Sequence, residues 1–280
     1  MTYPGGKNGA GVYQQIINRM PPHSVYIEPF LGGGAVMRHK LPAALSIGLD
    51  LDAAAIQRVS AALGAAGDDR STNRFRLIQG DAFAFLKSYP FEGHELVYCD
   101  PPYMHETRGR KNLYRHELTD AQHLELLEIV TSLKARVMIS GYRTALYCFA
   151  LRDWSMATFH TTNRAGKRTT EYLWMNYAAP VELHDYRYLG ANFRQRERIK
   201  RKMQRWVARL EKMPELERRA LQGAMASITR GGIAKSGESA CRQKVGGELL
   251  EGASPELGSQ PAGEGVRDYS SIAEGVGVSG

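Results

Sequence analysis

Cysteine is scarce, and no long hydrophobic run occurs anywhere in the chain. The three cysteines, Cys99, Cys148 and Cys241, stand far apart in the sequence. That spacing excludes a disulfide framework and a clustered zinc site, and reads as reduced thiols. No apolar stretch approaches the roughly 20 residues of a membrane span. The start of the chain, Met1-Thr2-Tyr3-Pro4-Gly5-Gly6-Lys7, has no apolar signal core. A cytoplasmic protein is expected, with no metal, no membrane partner and no obligate protein partner. No internal repeat is present, which excludes solenoid architectures. Apolar and aromatic residues thin out over 231–280, where glycine, serine and glutamate dominate; such a composition lacks what a packed core needs, and a disordered tail is expected there. Acidic residues are few in one further stretch. Residues 191–230 hold a net charge of about +8, against about +3 for 1–190 and about −3 for 231–280. A basic segment this concentrated suits a polyanion, although it also fits a solvated helix.

What is present is a core of useful size: 43% of 280 residues are hydrophobic. Through the first 175 or so residues, short apolar runs alternate with helix-like stretches. Val25-Tyr26-Ile27 enters a glycine loop, Ser46 to Leu49 ends at Asp50, Phe75 to Ile78 ends at Gly80-Asp81, and Leu96 to Cys99 ends at Asp100. Val137 to Ser140 forms another strand. Asp52 is placed to cap a helix over Ala53 to Leu63, and Thr119 one in which Leu124, Leu127, Val130 and Leu133 share a face. The alternation predicts an α/β fold with a doubly wound, mostly parallel sheet. Trp154 to Thr162 and Thr169 to Tyr177 flank Asn163-Arg164-Ala165-Gly166-Lys167 and predict an antiparallel hairpin closing that sheet. A basic helix is expected from Phe193 to about Leu210, then, past Pro214, a second from Glu215 to Ile228. The domain reading is therefore 1–190 as a catalytic domain, 191–230 as a basic helical extension and 231–280 as the tail.

In a doubly wound sheet ligands sit at the carboxyl ends of the strands. Four strands here end in polar or glycine-rich residues. Glu28-Pro29-Phe30-Leu31-Gly32-Gly33-Gly34 lets the backbone approach a ligand closely, and no Gly-Lys-Ser/Thr follows it, which excludes a P-loop. Asp50 is placed to accept the hydroxyls of a cofactor ribose; a helix cap, the other reading, fits Asp52 better. Asp81, beside Ala82, taken alone also fits a turn. Asp100-Pro101-Pro102-Tyr103 is the specific one. The Asp100 carboxylate and the Pro101 carbonyl offer two adjacent acceptors for an aromatic amine, which makes its nitrogen more nucleophilic. Pro101 and Pro102 stiffen the loop and bring no amide N–H to compete. Tyr103 offers an aromatic face to an extruded base.

These motifs, in this order over most of residues 3–177, resemble those of the Dam-like adenine-specific DNA methyltransferases in the α order, especially the small prophage-type members. The resemblance implies a Rossmann-like S-adenosylmethionine-dependent methyltransferase fold, S-adenosylmethionine as cofactor, double-stranded DNA as partner and the N6 amine of adenine as acceptor. It implies a cofactor site of Tyr3, Gly5, Gly6, Lys7, Glu28, Pro29, Phe30, Gly32, Gly33, Gly34, Asp50, Asp81 and Ala82, with Lys7 near the methionine end and Phe30 packed on the cofactor. Asp100, Pro101, Pro102 and Tyr103 would be catalytic. Asparagine or serine at position 100 would have implied cytosine or glutamine instead. An RNA adenine methyltransferase would use the same catalytic residues. One departure stands out: only about 30 residues separate Asp50 from Asp81, where many relatives insert a target-recognition region. Relaxed sequence specificity is expected, unless the loop 104–116 reads a short motif. DNA contacts are expected from that loop (His105, Arg108, Arg110, Lys111, Tyr114, Arg115), from the hairpin tip (Arg164, Lys167, Arg168) and from the basic helix (Arg194, Arg196, Arg198, Lys200, Arg201, Lys202, Arg205), each of which also fits solvated surface.

Overall fold

A computed structural model describes residues 6–9, 11–64, 74–104, 106, 116–162 and 168–241, with the backbone alone at 161, 162, 168 and 229–241. Tyr3, Gly5, Arg108, Arg110, Lys111, Arg115, Arg164 and Lys167, all expected site residues, lie outside the described residues, as do His105 and Tyr114. The chain divides into two compact units, residues 1–212 and 213–280.

Seven strands form one sheet in the first unit. They are β1 (Val25–Glu28), β2 (Leu45–Asp50), β3 (Phe75–Gln79), β4 (Glu95–Cys99), β5 (Arg136–Gly141), β6 (Ser155–Thr162) and β7 (Arg168–Met175), in the order β3-β2-β1-β4-β5-β7-β6. β1 to β5 are parallel, with Ile27 beside Ile47 on one side and Val97 on the other. β7 runs antiparallel between β5 and β6 and pairs Phe159 with Glu171 across the hairpin. This is the Rossmann-like, mostly parallel sheet closed by an antiparallel hairpin that the sequence predicts. The order reverses between β1 and β4, so the crevice outside their carboxyl ends is where a ligand belongs.

Both faces of the sheet are covered, which explains why its central strands read as unbroken apolar runs. Ile27, Val97, Cys99 and Ile139 point to one core, packed with α4 (Ala82–Ser88), α5 (Asp120–Ser132) and α6 (Ala145–Ala150). Their neighbours Tyr26, Leu96, Tyr98 and Met138 point to the other, packed with α1 (Val12–Ile17), α2 (Ala35–His39) and α3 (Ala53–Gly64). Asp52 caps α3 by accepting the Ala54 N–H at 3.1 Å, and Thr119 caps α5 in a full capping box with Gln122. The expected face of α5 is corrected in part. Leu127 and Val130 are buried, but Leu124 is exposed, and His123, Leu126 and Ile129 take the interior. His123 is drawn inward by Tyr147, whose hydroxyl lies 3.0 Å from its Nδ1.

Beyond the sheet, α7 (Phe193–Glu211) belongs to the first unit, with Asn192 as its N-cap and no buried residue. In the second unit α8 (Glu215–Cys241) opens with Glu215 paired to Arg218 and Arg219. Its backbone stays helical past Ile228 and Arg230, where the sequence places the end of the helix and the start of the tail. Among the described residues no helix is long and apolar enough to cross a membrane.

Candidate active site

The site begins with the turn after β1. Gly32 and Gly34 adopt positive φ, 50° and 58°, and a Cβ on Gly34 would lie 2.8 Å from Val59 of α3. Only glycine permits that turn and that approach to the helix. Asp50, at the end of β2, holds the turn in place: its Oδ2 accepts the Gly32 N–H at 2.7 Å and its Oδ1 the Asp52 N–H at 2.8 Å. Asp81, after β3, caps α4 through Oδ1 by accepting the N–H groups of Phe83 and Ala84. Phe30 and Phe83 meet edge to face, with ring centroids 6.3 Å apart.

These groups line one cleft of about 920 Å³, with Glu28, Lys7, Asp100 and Pro102 further along it. His116, Glu117, Leu118 and Gln122 also line it. The volume lies in the range of small-molecule sites, about 300–1,000 Å³. Gly6, Lys7, Glu28, Pro29, Phe30, Gly32, Gly33, Gly34, Asp50, Asp81 and Ala82 are thus brought together.

At the end of β4 the Asp100 carboxylate has an asymmetric environment. Its Oδ1 lies 2.7 Å from Lys7 Nζ, accepts the Ser140 hydroxyl at 2.8 Å and lies 3.3 Å from the Tyr103 hydroxyl. Its Oδ2 accepts no hydrogen bond from the described residues. Burial pushes the Asp100 carboxyl above the ordinary range; Lys7 opposes that shift and Glu171 adds to it. Tyr103 does not line the cleft: it is buried, its ring stands edge-on to Tyr142 with centroids 4.8 Å apart, and its hydroxyl donates to Glu171 at 2.8 Å. Lys7 is buried too, and its ammonium also reaches Glu171 Oε2 at 3.2 Å and donates to the Tyr103 hydroxyl at 2.7 Å. Pro101 is buried and, unlike Asp100 and Pro102, is not among the residues lining the cleft.

Sequence reasoning missed Glu171 and Ser140. Glu171 had a visible signal: it is the one charge in the run Thr169 to Met175, and buried charges are costly unless paired. Ser140 had none. Of the expected DNA contacts, Arg194, Arg198 and Lys202 are exposed on α7, and Arg168 begins β7. Among the described residues no group of three His, Cys, Asp or Glu could hold a metal ion. Cys99 and Cys148 are free thiols.

No protein-family model and no curated protein matches the sequence. Among solved structures, the chain is similar to precorrin 8W decarboxylase of Methanobacterium thermoautotrophicum, at 15% identity over 63% of this chain and 94% of that one, with a TM-score of 0.42. An rRNA methylase from Streptococcus thermophilus matches at 14% identity over 58% and 93%, with a TM-score of 0.40. Magnesium protoporphyrin IX methyltransferase from Synechocystis, with bound SAM, matches at 16% over 59% and 75%, with a TM-score of 0.39. Scores this low leave the sheet topology and the side chains as the grounds for reading the cleft.

Proposed function

We propose that the cleft binds S-adenosylmethionine and that the chain transfers its methyl group to the N6 amine of adenine in DNA, with relaxed sequence specificity. The observation that carries this reading is the Asp100 carboxylate at the sheet's switch point, with Oδ1 held by Lys7 and Ser140 and Oδ2 left to accept. The two prolines that follow add a carbonyl acceptor and no competing donor.

The residues present fit the cofactor. The glycine turn admits a ligand against the backbone, and Asp50 and Asp81 stand at successive strand ends, where ribose hydroxyls and an adenine amine would be met. Phe30 offers an aromatic surface. When bound, S-adenosylmethionine supplies a methyl group on a sulfonium and leaves as a neutral thioether. Asp100 Oδ2 accepts one N–H of the adenine amine and the Pro101 carbonyl the other. Held between two acceptors, the nitrogen keeps its lone pair directed at the methyl carbon. Lys7 and Ser140 fix the carboxylate's orientation, so little reorganisation accompanies the reaction. An extruded base would need Tyr103 or Tyr142 to turn a ring face toward the cleft.

The test is to incubate the full chain with isotopically labelled S-adenosylmethionine and, in separate reactions, duplex DNA and RNA, digest to nucleosides and identify the labelled one by mass spectrometry. N6-methyladenine is expected. Label on cytosine, on RNA alone or on nothing rejects the reading.

A further inference from the structure

We propose that Tyr98 is a positioning residue for this reaction: its buried hydroxyl donates to Ser140, which directs the serine's single proton onto Asp100 Oδ1 and leaves Oδ2 to the amine. The role rests on the function proposed above. Tyr98 lies in β4, Asp100 two residues further on, and Ser140 in the neighbouring β5. Side chains alternate along a strand, so Tyr98 and Asp100 share a face of the sheet. Ser140 stands between them, its Oγ 3.1 Å from the Tyr98 hydroxyl and 2.8 Å from Asp100 Oδ1. Tyr98 and Ser140 are both fully buried.

The direction of these bonds follows from the protons they have to place. A serine hydroxyl donates once. Among the described residues, Ser140 Oγ meets Asp100 Oδ1, the Tyr98 hydroxyl and, at 3.5 Å, the Cys99 carbonyl. If Ser140 donated to Tyr98, the phenol proton would be buried with no acceptor among the described residues, and Asp100 would lose a donor. A buried donor left unmet is costly. With Tyr98 donating to Ser140 and Ser140 to Asp100, both protons are placed and the first bond strengthens the second. Burial holds the Tyr98 phenol protonated, so it stays a donor. A carboxylate whose Oδ1 is fixed in this way presents Oδ2 to the amine in one orientation.

The titratable groups around Asp100 are Lys7 from the N-terminal segment, Glu28 of β1, Tyr98 and Cys99 of β4, Tyr103, Tyr147 of α6 and Glu171 of β7. Burial raises the Asp100 carboxyl, Lys7 lowers it, Glu171 raises it and the Ser140 hydrogen bond lowers it. Loss of the serine's proton from Oδ1 therefore moves the Asp100 titration upward.

Two readouts test this on the full chain. One is the acid limb of single-turnover methyl transfer to an adenine oligonucleotide. The other needs no activity: the carboxyl infrared band of the substrate-free protein, titrated with pH and differenced against D100N. S140A is expected to slow single turnover by roughly 10- to 150-fold and to shift the Asp100 titration to higher pH in both readouts. Y98F, which keeps the ring, should shift it the same way by less and slow the rate roughly 2- to 10-fold. The double variant S140A/Y98F should match S140A alone, because Tyr98 acts only through the serine. A Y98F titration that stays put or moves down, or a double variant shifted beyond S140A, overturns the role. If the wild type methylates no adenine while the infrared shifts appear as expected, the proposed reaction falls and the chain of bonds from Tyr98 to Asp100 stands.

Discussion

Glu28 closes β1 inside the core, where its Oε2 accepts the Tyr26 hydroxyl at 2.9 Å and the Met37 N–H at 3.1 Å. Burial pushes its carboxyl up to about 8 from an ordinary 4.5, against those hydrogen bonds. Between these values the folded chain holds a proton that the unfolded chain has lost, so stability falls as pH rises, by up to about 1.4 kcal/mol per pH unit. E28Q keeps an acceptor and removes the titration. Urea unfolding of both proteins across that window should show the wild type declining relative to the variant; parallel curves would contradict a neutral Glu28. Asp50 has a different job, since both its oxygens already hold backbone N–H groups. D50A is expected to weaken S-adenosylmethionine binding by roughly 10- to 150-fold, more than it slows chemistry at saturating cofactor, and part of the loss comes from the loosened glycine turn. An unchanged Kd by calorimetry would reject that role. D100A should leave cofactor affinity largely intact and cut single turnover by orders of magnitude, because its acceptor acts as charge develops. Retention of more than about a tenth of the rate, a barrier change under about 1.4 kcal/mol, would sink the assignment.

Among the elements, α7 is the one whose chemistry is least used by the fold. It buries nothing, and Arg194, Arg198, Arg201, Lys202 and Arg205 follow one another at helical spacing on an exposed surface. If that face meets phosphates, truncation after Asn192 should flatten the salt dependence of DNA binding, each lost contact removing about 0.9 from the log–log slope. Truncation after Lys212 keeps α7 and should preserve the slope. Equal slopes for the two would show that α7 is no electrostatic contact. Cutting at 230 is a poorer design than the composition suggests, since α8 runs to Cys241. Strands were the legible elements, because each buried one is a run such as Leu96 to Cys99 that ends in a polar residue. The helices α1, α2, α4 and α6, of five to seven residues, are too short to show a 3.6-residue period. The buried face of α5 was misjudged at Leu124 because an adjacent helix, through Tyr147, draws His123 inward. Glu171 lies 68 residues from Tyr103, a separation that only the β5-β7-β6 pairing closes.

At the scale of the whole molecule, the sheet gathers one acidic or glycine-rich turn from each of four parallel strands into one cleft, while the basic excess sits in residues 191–230. On the proposed reading, chemistry and polyanion affinity would come from different parts of the chain. Between Asp50 and Asp81 the described structure is α3 and β3, with only residues 65–73 joining them. Strict readout of a four-base site takes several base-edge contacts held in a groove, each supplying about 1–3 kcal/mol of discrimination. Arginines and lysines on an exposed helix position DNA through phosphates without reporting its sequence. On the proposed reading, selection of adenine would rest on Asp100 Oδ2 and the Pro101 carbonyl, which both require amine hydrogens. The expected outcome is therefore methylation of adenines in many contexts, with a preference at no more than one or two flanking positions. Saturating random-sequence DNA with the protein and S-adenosylmethionine and mapping every methylated adenine measures this directly. A single motif of three or more fixed bases, with all other adenines untouched, would mean that the loop 104–116 reads base edges and that specificity does not require a separate recognition domain.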